Sequence, residues 1–258
     1  MSRFYKYRTQ QLPSIELSEQ DGIRSLHLGG TMVQSAMRLS APNDLELAYT
    51  QYMMGFLLFH PEPENILMIG LGGGSLAKFV YHQMPQTKTT VVEINPQVVT
   101  AARNYFYLPE DGEQLQIIIA DGGKYLANHP AGTDVLMIDG FDDGCQVPSL
   151  CEQDYYKIVR QLLNRNGVLV ANLLGRDKDV MNYLKRIETS FNGLVTTMMT
   201  EGRGNLIVFA FKNSPGKLPW KTLRMRAKSL EKRFSLPFSE FVAKLRKYNA
   251  HDHHALEI

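Results

Sequence analysis

Three acidic residues stand together in the segment Asp139-Gly140-Phe141-Asp142-Asp143-Gly144, just beyond an apolar run over 134–138. In an open parallel sheet, ligands bind outside the carboxyl ends of the strands. Carboxylates there attract a cation. They can hold a primary amine, which is protonated at neutral pH, and can take its proton as the neutral form attacks. The same residues would also suit an acidic loop with one helix cap. They could serve a metal as well, but no histidine lies nearby in sequence, so no metal is expected.

A second chemical signature lies upstream. An apolar run over 66–69 meets the turn Gly70-Leu71-Gly72-Gly73-Gly74, and a helical segment follows. A second apolar run over 90–92 then ends in Glu93. Glycines let a ligand approach the backbone, and a carboxylate about twenty residues later can hold two ribose hydroxyls. Without a ligand, the same pattern is a tight strand-to-helix turn, and Glu93 a solvated cap before Asn95-Pro96. No arginine stands there to take a 2′-phosphate. Asp121-Gly122 follows the next run, where an acid would lie beside an adenine and could accept from its exocyclic amine. Asp121 is equally placed to cap the short helix after it, and both roles are compatible.

These residues need a frame of alternating strands and helices. Strand-length apolar runs fall at 66–69, 90–92, 115–119, 134–138, 168–172, 193–199 and 206–211. Segments of helical periodicity fall at 75–83, 97–105, 122–128, 152–163 and 178–191. This alternation implies a mainly parallel sheet covered on both faces, and the short last connection implies a terminal antiparallel hairpin. Seven strands with that ending resemble a class I methyltransferase-like (Rossmann-like) α/β fold. Before it, strand-compatible segments at 14–17, 23–28 and 31–39 are punctuated by Asp21-Gly22 and Gly29-Gly30, which predicts a small antiparallel β module. A helix is expected from Asp44, as its N-cap, to about Leu58.

Bulk properties set limits. At 258 residues the chain suits one large domain, with or without a small one, and a net charge of +2 excludes an overall polyanion binder. Two cysteines, Cys145 and Cys151, form neither a disulfide framework nor a zinc pattern and are read as free thiols. No apolar stretch suggests a signal peptide or a membrane span, so a cytoplasmic protein is expected. The expected division is a β module over 1–40, a nucleoside-binding catalytic domain over 41–214 and a basic helical extension over 215–258. In that extension lysine and arginine outnumber acids ten to four. Its two helices are read as a solvated face or oligomer contact rather than a nucleic-acid surface. Residues 217–220 are read as a linker and the histidines at 251, 253 and 254 as a flexible terminus.

Taken in order, the motifs resemble the spermidine synthase (polyamine aminopropyltransferase) family over roughly residues 26–211. Residues 28–34, ending in Gln34, resemble the family's strand with a nucleoside-contacting glutamine. Glu46-Leu47-Ala48-Tyr49 resembles its E-F-x-Y helix, and 66–74 its I-G-G-G-D-G turn. Val92-Glu93-Ile94-Asn95-Pro96 resembles V-E-I-D-P, and Asp121-Gly122 resembles its D-G. Asp139-Gly140-Phe141-Asp142 resembles D-x-x-D, whose first aspartate is the family's proton acceptor.

The resemblance implies aminopropyl transfer from decarboxylated S-adenosylmethionine, a co-substrate rather than a tightly bound cofactor, to a diamine such as putrescine. Methylthioadenosine leaves. Asp139 would take the proton, Asp142 would hold an amine and Tyr49 would line the amine channel. Glu93 would hold the ribose, Asp121 and Gly122 the adenine, with Gln34, Gly70, Gly72 and Gly74 on the nucleoside side. A homodimer or homotetramer is also implied.

Several positions depart from the family pattern. Gly73 stands where the family has a donor-binding aspartate, Gln51 where it has an acid, and Asp143 where it has a proline. Residues 200–205 have no counterpart of its tyrosine-proline segment. Each charge-assisted contact so lost is worth roughly 1.5–3 kcal/mol. A methyltransferase using intact S-adenosylmethionine is the alternative, because an acid at 73 would repel the methionine carboxylate. A non-catalytic homologue retaining the nucleoside site is another.

Overall fold

Strand residues of alternating side send apolar groups to both faces of one sheet, and helices cover both. The computed structural model describes residues 13–142, 145–146 and 152–258. Residues 1–12, Asp143 and Cys151 lie outside the described residues, as do the side chains of Asp142 and Cys145.

The N-terminal module is a three-stranded antiparallel sheet of β1 (Ile15–Gln20), β2 (Ile23–Leu28) and β3 (Val33–Arg38). A short α1 (Ala48–Met53) follows and tightens into a 3-10 turn, Met54–Leu58. The main chain then alternates: β4 (Asn65–Ile69), α2 (Ser75–Gln83), β5 (Lys88–Glu93), α3 (Pro96–Phe106), β6 (Leu115–Ile119), α4 (Gly122–Asn128) and β7 (Thr133–Ile138). A two-residue pair, β8 (Phe141–Asp142) and β9 (Cys145–Gln146), precedes α5 (Gln153–Leu162) and β10 (Leu163–Leu174). Next come α6 (Val180–Ser190), β11 (Val195–Met199) and β12 (Asn205–Phe211).

The large sheet has the order β11-β12-β10-β7-β4-β5-β6. β10, β7, β4, β5 and β6 run parallel, and β12 lies antiparallel between β10 and β11. This is the seven-stranded α/β arrangement expected from the alternation, with its terminal hairpin. The period of two sorts the core. Ile66, Met68, Val91 and Met137 pack with α2, while Leu67, Ile69, Val92 and Ile138 pack with α5 and α6.

Three local expectations are corrected. The helix expected from Asp44 begins at Ala48, and Leu47 precedes it without a side-chain cap. Asp44 instead closes a turn onto the Ala41 carbonyl, and Arg38 holds Glu46 at 2.7 Å. The expected linker is strand β13 (Leu218–Pro219), paired with β14 (Ala255–Leu256). The C-terminus is therefore pinned, with His251 bridged to Leu256 and edge-on to Trp220.

Between these strands, α7 (Trp220–Phe234) and α8 (Phe238–Tyr248) bury Trp220, Leu223, Phe234, Phe238 and Phe241 in the same core as Val80 and Phe209. Asn249 then pairs its side-chain amide with both the N–H and the carbonyl of Thr197, satisfying part of the β11 edge. No helix among the described residues is long and apolar enough to cross a membrane.

Candidate active site

Four parallel strands end at one open cleft. Gly70 follows β4, Glu93 ends β5, Asp121 follows β6 and Asp139 follows β7, and all four line it. Gln34, Tyr49, Gly72 and Gly122 line it too. Gly74 does a different job: it opens α2 with φ +74, facing Leu108. The backbone of Asp142 lies in β8, two residues along the chain from Gly140, which lines the cleft.

Gly70 is dictated by close packing. Its φ is +98, and a Cβ there would stand 2.2 Å from the Asp139 carbonyl oxygen. The turn and the end of β7 are thus in direct contact.

Glu93 is buried rather than a solvated cap. Its Oε2 accepts from the Leu71 N–H and its Oε1 from the Asn95 N–H, both at 2.9 Å. Burial raises its carboxyl above the ordinary range, and these backbone donors oppose the rise. The cap of α3 is Asn95, which accepts from Gln97 N. Glu93 therefore fastens the glycine turn to the second strand. Asp121 does cap α4, through Oδ1 to the Lys124 N–H at 2.9 Å, while lining the cleft.

Asp139 receives a hydrogen bond on each oxygen. Asn172 Nδ2 donates to Oδ1 at 2.8 Å, and the Tyr49 hydroxyl donates to Oδ2 at 3.2 Å. Burial pushes this carboxyl above the usual range, and the two donors pull it back. Tyr49 is held well above the ordinary tyrosine range by burial, then by the charge of Asp139. It stays a neutral donor. A partly buried carboxylate of raised proton affinity is suited to accept a proton.

Gln51 faces elsewhere. Its amide donates to the Leu45 carbonyl at 2.7 Å, a bond no carboxylate could make. Among the described residues no group of three or more His, Cys, Asp or Glu is placed to hold a metal.

Sequence reasoning missed Ser35, Asn172 and Asn205. Ser35 lines the cleft and lies 3.3 Å from Ser75, hydroxyl to hydroxyl. Asn172 was visible as the one polar residue closing the run 168–172, a signal that could have marked it.

The Spermine/spermidine synthase domain description matches residues 46–213. A polyamine aminopropyltransferase of Chromobacterium violaceum is 42% identical over 240 residues, covering 93% of this chain and 92% of that protein. This chain belongs to the spermine/spermidine synthase family. It is thereby a transferase of the polyamine aminopropyltransferase kind. Two solved structures share its fold. A probable spermidine synthase from Corynebacterium glutamicum has a TM-score of 0.71 at 18% identity, covering 98% of this chain and 99% of that one. Human methyltransferase-like protein 13 in complex with SAH has a TM-score of 0.63 at 26% identity, covering 80% and 96%. The residues that match the family's motifs, Glu93, Asp121 and Asp139 among them, thus fall on one cleft in this member, which suits an adenosylmethionine-related ligand.

Proposed function

We propose that this chain transfers an aminopropyl group from decarboxylated S-adenosylmethionine to a diamine such as putrescine. The observation that carries the reading is Asp139, partly buried and hydrogen-bonded on both oxygens in the cleft at the carboxyl ends of the strands. The neutral amine nitrogen attacks the methylene carbon next to the sulfonium. A C–N bond forms, the C–S bond breaks, and its electron pair leaves with methylthioadenosine. The proton of the new secondary ammonium passes to Asp139. Holding both reactants in line supplies much of the acceleration.

In this reading Glu93 holds the ribose, Asp121 the adenine amine, and Asp142 an acceptor amine. Gln34, Gly70, Gly72 and Gly122 shape the nucleoside side, and Tyr49 walls the amine side. A cytoplasmic homodimer or homotetramer is the proposed setting, which fractionation and sedimentation test.

One observation favours a second reading. The space beside Gly73 is taken by Ser35 and Phe106, so the family's donor-binding acid has no room. A donor with an intact methionine carboxylate would not miss it. Purified protein incubated with decarboxylated S-adenosylmethionine and putrescine should release methylthioadenosine, and Asp139→Asn should abolish release while sparing nucleoside binding. Tight binding of intact S-adenosylmethionine without that release would favour methyl transfer. Binding of neither would remove both readings.

A further inference from the structure

The two donors to Asp139 differ in how they are held. Tyr49 reaches Oδ2 from α1, and its single hydroxyl hydrogen has a second acceptor within reach, the Gln34 carbonyl at 3.4 Å. Asn172, on β10 and 1% exposed, is fixed at both ends. Its Nδ2 donates to Asp139 Oδ1, and its Oδ1 accepts from Asn205 Nδ2 at 2.9 Å. Asn205 opens β12, and its own N–H donates to Thr200 Oγ1 at 2.7 Å. Two side-chain amides therefore run in series across three strands toward one carboxylate.

Charge sets their direction. A carboxylate only accepts, so Asn172 must present Nδ2 to it and turn its oxygen to Asn205. A flipped Asn172 would set oxygen against oxygen. Aligned in a low-dielectric interior, the amides polarise each other, and a half-satisfied member would be costly.

We propose that Asn172, anchored by Asn205, is a positioning residue that occupies Oδ1 of Asp139 and reserves Oδ2 as the oxygen that takes the amine proton. This rests on the aminopropyl-transfer reading of the same site. As Oδ2 takes the proton, Tyr49 turns its hydrogen to Gln34, while Oδ1 keeps its donor. The groups around Asp139 are Tyr49 from α1, Asn172 from β10 and the Gly70 backbone after β4, with Glu93 and Asp121 across the cleft. Burial raises this carboxyl and Asn172 lowers it, so losing Asn172 moves its protonation to higher pH.

The test reads the carboxyl directly, by 13C NMR of aspartate-labelled protein, with Asp139→Asn identifying the signal. Asn172→Ala should move the Asp139 midpoint upward and lower kcat about ten- to a hundredfold, with methylthioadenosine affinity unchanged. Asn205→Asp, at the half-buried end of the relay, should do the same, because its carboxylate competes for Nδ2 of Asn172. An unmoved midpoint in both variants would overturn the proposal, as would a kcat loss that merely follows lost nucleoside affinity. The midpoint needs no turnover. An inactive parent would count against aminopropyl transfer and leave the relay measurable.

Discussion

The ring of Phe106 fills the space that a side chain on Gly73 would need. A Cβ at Gly73 would stand 2.9 Å from Phe106 Cδ1 and 2.7 Å from Ser35 Oγ. Phe106 is fully buried at the end of α3, so it cannot swing into solvent. Gly73→Asp therefore does not simply restore the family's acid. Overpacking of this kind costs typically about 1–3 kcal/mol, which for a chain of this size is a fall of several degrees in Tm. Thermal melts of the variant check it. A Tm equal to the parent's, with tighter binding of decarboxylated S-adenosylmethionine, would show that the pocket yields.

Ionising Asp139 costs the fold stability. Its folded carboxyl is raised by burial, more than Asn172 and Tyr49 lower it. Such a group lends stability below the ordinary carboxylate range and loses that contribution as pH rises through the raised value. Asp139→Asn keeps an acceptor for Asn172 and removes the charge. Its Tm should exceed the parent's at neutral pH, and the difference should shrink as pH falls toward the ordinary carboxylate range. Glu93, raised in the same sense, is present in both proteins and cancels. Melts from acid to neutral pH measure it, and parallel curves would sink the idea.

The frame of the cleft was legible because local signals carry it. Apolar runs mark the strands, the glycine turn marks the first crossover, and Glu93, Asp121 and Asp139 end successive runs. What stayed hidden depends on strand order. Asn205 meets Asn172 only because β12 inserts antiparallel beside β10, with Leu174 opposite Asn205 and Asn172 opposite Ile207. Tyr52 likewise reaches Glu240, a residue of α8, at 2.5 Å. Periodicity fixes the face a residue takes and is silent on which strand lies next. The start of α1 was missed for a different reason. Asp44 has the residue type of a cap, but Pro42 and the Arg38–Glu46 pair keep the chain turning until Ala48.

Lys78 supports the same glycine turn from below. It is 1% exposed on α2, and its ammonium donates to the carbonyls of Pro42 and Phe106, each at 2.7 Å, and to Met37 Sδ. Phe106 ends α3, where a cation also suits the helix dipole. Lys78→Met leaves both carbonyls without this donor, at about 1–3 kcal/mol for each that stays unsatisfied. Burial lowers the lysine to about 8. Between that value and its ordinary one the unfolded chain binds more protons, so stability gained from this group rises with pH there. The parent should show that rise above pH 8 in denaturant titrations, and Lys78→Met should lack it. A variant with the parent's slope would remove Lys78 as its source.

The C-terminal strand is held by burial rather than by charge. Leu256 is fully buried beside Trp220, which is 2% exposed. The Trp220 N–H donates to the His254 carbonyl at 2.8 Å, and its indole N–H to the Asp252 carbonyl at 3.2 Å. The ion pairs of Lys217 with Asp252 and Glu257 are exposed and contribute little. Leu256→Ala should therefore cost about 2–5 kcal/mol, the range for a buried leucine, whereas Lys217→Ala should change stability only slightly. None of these residues lines the cleft, so nucleoside affinity below the lowered Tm should match the parent's. Denaturant unfolding and nucleoside titration of both variants test the contrast. Equal losses from the two substitutions would mean that charge, not packing, closes the C-terminus.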